Sequence, residues 1–281
     1  MKYIIVSLLL IYSLSVMAQD HYKIYSTAKQ KVVNTDDIIN EMKKADVLFF
    51  GEEHDDSLAH VLELDILTKL NQHNPGRTAL SMEMFETDCQ LVLNEYLKGL
   101  IREKNFITDA RAWPNYADYR PLIEFCKTQQ IPVVAANAPA RYTNMVNRLG
   151  LPGLQQLGPT AKSYLPPLPI DTATGVYYDK FIKIMGGHGS MPGMQLYQAQ
   201  NLWDATMGWS IASFLKSHHK YKILQVNGGF HSEDKLGAAA QLKKYAPAAR
   251  ILNIALYSHE NPDNPDWSKY GKDNDYIVLT E

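Results

Sequence analysis

Apolar runs the length of a β-strand alternate along this chain with stretches of helical periodicity, and that alternation restricts it to layered α/β folds. Asp46-Val47-Leu48-Phe49-Phe50 is one such run and stops at Gly51. A short amphipathic helix over 36–44 precedes it, and Leu58, Val61, Leu62, Asp65, Ile66 and Leu70 follow at the spacing of a second helix. Residues 78–84 form the next strand, ending in Glu83-Met84-Phe85. Thr87 with Gln90 has the form of a capping box, opening a helix that carries Leu91, Val92, Leu93, Tyr96 and Leu97 and stops at Gly99. A helix over 122–128 begins after Pro121, and 131–135 is a third strand. The pattern resumes with a long helix over 195–216, a strand over 222–226, a helix over 236–245, a strand over 250–256 and an edge strand at 276–279. The predicted fold is a doubly wound, mostly parallel sheet with helices on both faces. Sheets of this kind bind ligands at the carboxyl ends of their strands.

Two segments stand outside the alternation. Lys2 followed by an apolar stretch from Tyr3 to Val16, with Val16 and Ala18 as small residues before Gln19-Asp20-His21, has the layout of a signal peptide over 1–18 and is too short to span a bilayer. An exported, soluble mature chain of one domain, 19–281, is expected, without the cysteine a lipid anchor would need. The second segment, 151–193, holds six prolines and seven glycines. It reads as part of a loop and helix lid over about 140–195. A formal net charge of −2 and no Lys/Arg cluster argue against nucleic acid as a partner. The two cysteines, Cys89 and Cys126, fall in apolar helical patterns and read as buried free thiols.

The strand ends carry the chemistry. Gly51-Glu52-Glu53-His54 closes the first strand, Gly228-Gly229-Phe230-His231 closes the one over 222–226, and Glu83 closes that over 78–84. Carboxylates and imidazoles gathered in this way bind metal, relay protons or orient a polar ligand, although one Gly-x-x-His alone can simply cap a helix. Glu83 in an apolar strand needs a partner, for which Arg111 and Arg120 are the nearest cations in sequence. Between them Trp113, Tyr116 and Tyr119 offer a pocket wall or ordinary packing. On the long helix Gln200, Asp204 and Met207 or Gly208 share a stripe beside Trp203 that points into a cavity or into solvent. An iron porphyrin needs an axial His, Tyr, Met or Cys in an aromatic pocket. Tyr164, Tyr177 and Tyr178 are candidate phenolate ligands, with His188, Met191 and Met194 as candidates opposite them.

The ensemble of Phe50 to His54, Glu83-Met84-Phe85 with Gln90, Trp113 with Tyr116 and Tyr119, 121–125, 131–139, Ala199 to Asp204 with Met207, and Gly228 to His231 resembles the ChaN-like haem-binding, iron-regulated proteins of the Tiki, TraB and erythromycin-esterase-like superfamily. The resemblance implies an envelope or periplasmic haem-binding protein of iron uptake, a homodimer when loaded, with an outer-membrane haem receptor as a further partner. Implied haem contacts are Tyr177, Tyr178, Tyr164, His188, His54, His231, Tyr119, Arg120, Gln200 and Asp204. The Tiki-like relatives imply the alternative: a hydrolase holding a divalent metal ion on His54, His231 and Glu83, with Glu52 or Glu53 as general base.

Overall fold

The structure is a computed structural model that describes residues 21–186, 195–258, 263–271 and 273–281. The expected signal peptide and His188, Met191 and Met194 lie outside the described residues.

Eight strands form one sheet in the order β2-β1-β8-β7-β3-β6-β4-β5. They are β1 Tyr22–Ser26, β2 Lys31–Val33, β3 Val47–Glu52, β4 Thr78–Glu86, β5 Val133–Asn137, β6 Lys222–Gly228, β7 Ile251–Tyr257 and β8 Tyr276–Thr280. From β5 to β8 the neighbours run parallel, and β1 turns the sheet antiparallel at its far end. The α/β expectation therefore holds. The strand over 276–279 is not at an edge, because β1 pairs with its outer side. The hairpin of β1 and β2, absent from the sequence reading, supplies the true edge.

Successive strand residues point to opposite faces, and both faces are covered. Leu48, Phe50, Leu80, Met82, Leu224 and Val226 pack against helices α1 Thr35–Met42, α2 Ser57–His73, α3 Gln90–Leu97, α4 Glu103–Asp109 and α5 Tyr116–Gln129. Val47, Phe49, Ala79 and Ile223 pack instead under two helices of the second half. Between the halves come α6 Ala140–Leu149, α7 Pro159–Lys162 and α8 Val176–Ile184; the two covering helices are α9 Leu196–Ser217 and α10 Gly237–Tyr245.

Three local expectations need correction. Thr87 and Gln90 form no capping box: the Thr87 hydroxyl donates to the Tyr164 carbonyl at 2.8 Å, and the Gln90 amide bridges the backbone of β5 at Val133 and Ala135, 2.8 Å each. The helix expected after Pro121 starts earlier and contains that proline, so one backbone bond of α5 is forgone. The buried stripe of α2 is rotated from the expected one. Val61 is 54% exposed, whereas Glu63 is fully buried beside Leu62, Ile66, Leu67 and Leu70. Cys89 and Cys126 are free and buried as expected, although Cys89 lies in a turn before α3 rather than within it.

Candidate functional site

Strands β3, β6 and β4 are neighbours, and Glu52 pairs in register with Gly228, so the Glu52-Glu53-His54, Gly228–His231 and Glu83 endings meet at one place on the sheet. Gly51 and Gly228 make the meeting possible. A Cβ on Gly51 would lie 2.9 Å from the Ser232 hydroxyl, and one on Gly228 would lie 2.9 Å from His54 Nε2.

Glu52 is 2% exposed at the end of β3. Its Oε1 accepts the Tyr119 hydroxyl at 2.6 Å and lies 2.8 Å from His54 Nδ1. Burial, with the carboxylate beside it, pushes the Tyr119 phenol far above its ordinary range. The His54 carbonyl accepts from the Asn115 amide at 3.1 Å, and Trp113 meets the His54 ring edge-on at 5.0 Å. Burial opposes charging of His54, yet its hydrogen bond to Glu52 and the charge of Glu83 outweigh it, so the imidazole holds its proton above its ordinary value. Glu53 is exposed; partial burial and Asp55 raise its carboxyl.

On the β6 side, His231 is enclosed by carboxylates. Nδ1 lies 2.7 Å from Asp204 Oδ1, and Nε2 lies 3.4 Å from Glu83 Oε1. Burial alone would lower the His231 pKa, but Glu83 and Asp204 carry it up to about 10. The same contacts hold Glu83 below its usual value against its own burial, together with the Gly228 N–H, which donates to Glu83 Oε2 at 2.8 Å. Asp204 is raised by burial despite His231 and the Tyr177 hydroxyl, which donates to it at 2.5 Å. Glu83 is thus partnered by His231 and backbone. The two arginines expected to serve it go elsewhere: Arg111 to Glu86 and Asp88 at 2.5 Å each, and Arg120 to Glu103 in a forked pair at 2.5 and 3.1 Å.

Gln200 and Asp204 lean inward rather than into solvent. The Gln200 amide lies 3.1 Å from both the Tyr177 hydroxyl and His231 Nδ1. Met207 belongs to the core, and Gly208 lets α9 touch α10, where a Cβ would stand 2.6 Å from the Leu242 nitrogen. Helix α8 also reaches the site. Lys180 pairs with Glu233 and Asp234 at 2.8 Å each, and the Tyr177 ring stacks on Phe230 at 4.9 Å.

A cleft of about 360 Å³ opens here, lined by Glu52, Glu53, His54, Phe230, His231 and Tyr257, with Ile184 of α8 at its rim. A larger hollow of about 520 Å³, lined by Tyr164, Gln90, Trp209 and His218 among others, runs beside β5 and has no carboxylate in its wall. The three candidate tyrosines therefore separate. Tyr164 lies at the other hollow, Tyr177 is 3% exposed with its phenol engaged by Asp204, and Tyr178 is 44% exposed on the outer side of α8. Sequence reading missed His60 and Glu63. Among the described residues, the donor atoms that close to within 4.8 Å of one another are those of Glu52, His60 and Glu63. The available signal was a carboxylate on the apolar stripe of α2, three residues after a histidine.

Residues 38–242 match the family model described as haem-binding uptake, Tiki superfamily, ChaN. The chain superimposes on ChaN of Campylobacter jejuni, solved with cofacial haem, with a TM-score of 0.68 and 19% identity, covering 93% of this chain and 97% of that one. Erythromycin esterase EreC in its open conformation gives a TM-score of 0.47 and 8% identity over 92% of this chain and 82% of that one. In sequence, the chloroplastic protein RETICULATA-RELATED 5 of Arabidopsis thaliana is 27% identical over 112 residues, 38% of this chain but only 15% of that protein's length. At 19% identity the match to ChaN shows shared fold, whereas the family model spans most of the chain. The chain belongs to the ChaN family of the Tiki superfamily.

Proposed function

We propose that this chain is an exported haem-binding protein of iron acquisition that takes haem at the cleft beside His54 and pairs with a second copy when loaded. One observation carries the reading: His54 Nδ1 is tied to Glu52 at 2.8 Å while the side chain keeps 42% exposure at the cleft mouth. An imidazole whose Nδ1–H is given to a carboxylate is fixed in the tautomer that leaves Nε2 free to ligate iron. Phe230, Leu256 and Ile184 supply apolar wall for a porphyrin face. Val176, Tyr178 and Ile184 are 65, 44 and 67% exposed along α8, apolar surface open to a second copy, and Tyr178 offers a phenol with no hydrogen bond among the described residues. Haem bound here supplies the iron; the protein's part is to orient the His54 ring through Glu52. Export follows from the apolar run 3–16, and a receptor at the outer membrane is its expected partner.

Titration of ferric haem into wild type, His54→Ala and Tyr178→Phe tests this. A Soret shift at defined stoichiometry that weakens at least about tenfold in His54→Ala and changes band position in Tyr178→Phe supports it, with tenfold equal to about 1.4 kcal/mol. Identical titrations in all three would refute it.

A second reading, a metal-dependent hydrolase, is favoured by the symmetry of the two imidazoles, His54 and His231, each with Nδ1 on a buried carboxylate. Hydrolysis that requires added Zn²⁺ and is lost in His231→Ala would establish it.

A further inference from the structure

Beneath the cleft, three acceptors converge on one point. His60 Nε2 lies 3.3 Å from the His54 carbonyl, which can only accept, so this nitrogen carries a ring proton, and in the neutral ring Nδ1 presents its lone pair. That lone pair faces Glu63 Oε2 at 3.3 Å and Glu52 Oε2 at 3.5 Å. Both carboxylates are buried, at 0 and 2% exposure, and both keep an oxygen without a hydrogen-bond partner, Glu63 Oε1 and Glu52 Oε2. Buried carboxylates left in this condition cost several kcal/mol each unless a positive charge offsets them. No lysine or arginine contacts either one among the ion pairs of the described residues.

We propose that Glu52, His60 and Glu63 hold a divalent transition-metal cation through Glu52 Oε2, His60 Nδ1 and the Glu63 carboxylate. The spacing fits. Metal–ligand bonds of about 2.1 Å at tetrahedral angles put ligand atoms about 3.4 Å apart, and the observed separations from Nδ1 are 3.3 and 3.5 Å. The surroundings fit as well. A metal-bound histidine usually gives its other N–H to a carbonyl or carboxylate, as His60 does to His54. Glu52 uses its second oxygen for Tyr119 and His54, which fixes the carboxylate's orientation. One imidazole with two carboxylates suits Zn²⁺, Mn²⁺ or Fe²⁺. A single shared proton would satisfy one of the facing contacts and leave the others, whereas a cation meets all three. The ligands sit on the end of β3 and at the i and i+3 positions of α2, both rigid elements. The site uses Glu52 Oε2, whereas the haem reading uses Glu52 Oε1 through His54.

The test is metal binding by the full chain, stripped with EDTA and titrated with Zn²⁺ and separately Mn²⁺, with retained metal measured by elemental analysis and thermal stability recorded in parallel. One equivalent per chain that survives desalting, raises Tm, falls at least about 100-fold in affinity in Glu63→Gln, and persists in His73→Ala supports the site, since even outer contacts of a metal ligand are worth about 10–100-fold. His73 is an exposed imidazole on the same helix and controls for surface binding. Less than a tenth of an equivalent retained, or one equivalent unchanged in Glu63→Gln, overturns the proposal.

Discussion

His231 makes a quantitative demand on stability. Its folded pKa of about 10 lies above the ordinary 6.5 of an exposed imidazole because Glu83 and Asp204 flank it in a buried position. A group whose pKa is raised on folding stabilises fully below its unfolded pKa and loses that contribution as pH rises through the folded one. Between about pH 6.5 and 10 the folded state holds one proton more at this ring, so unfolding free energy declines by about 1.4 kcal/mol per pH unit. From pH 7.5 to 9 the loss from this ring is about 2 kcal/mol. The assay is urea denaturation followed by tryptophan fluorescence at pH 7.5, 8.25 and 9, on wild type and His231→Gln. Wild type should lose about 2 kcal/mol more than the variant over that range, since titration of groups remote from His231 cancels in the difference. The variant will start lower, because Asp204 and Glu83 lose their partner, by about 3 kcal/mol or more for a broken buried pair. Parallel slopes in the two proteins would refute the assignment of the proton. If the variant does not fold, the wild-type ring followed by NMR decides: a His231 midpoint near 7 would be equally fatal.

The remaining expectations separate fold from site. Tyr177→Phe should cost about 1.5–3 kcal/mol in denaturation, the range for a hydrogen bond to a charged group, because its phenol donates to buried Asp204. Tyr178→Phe, at an exposed phenol, should leave stability within about 0.5 kcal/mol and alter only the haem spectrum. Gly228→Ala should fold yet bind haem more weakly, because its Cβ would stand 2.9 Å from His54 Nε2 and push the ring aside; unchanged affinity would disprove that contact. Haem affinity should fall as pH drops through the raised pKa of His54, because a protonated Nε2 cannot ligate iron, and His54→Ala should lack that dependence.

What the sequence made legible follows from what periodicity reports. The strands over 46–50, 78–84, 131–135 and 222–226 were bounded apolar runs because both sheet faces are covered, and their polar endings met because parallel order places them at one rim. Periodicity does not report neighbours. β8 reads as an edge from its position in the chain, and only the pairing with β1 puts it inside. Nor does it fix the rotation of a helix: Leu58, Val61, Leu62, Asp65 and Ile66 suggested a stripe that the structure turns toward Glu63, which hid the Glu52, His60 and Glu63 cluster. Proximity in sequence also misled. Arg111 and Arg120 are close to Glu83 along the chain, yet α5 carries Arg120 to Glu103, and the charge that serves Glu83 arrives from His231.

The central claim, that the His54 cleft receives haem, is tested most directly by titrating ferric haem into the chain while following the Soret band and molecular mass together. Saturation at one haem per chain with a doubling of mass, lost in His54→Ala, is the expected result. A featureless titration of a folded protein whose mass never changes would contradict it.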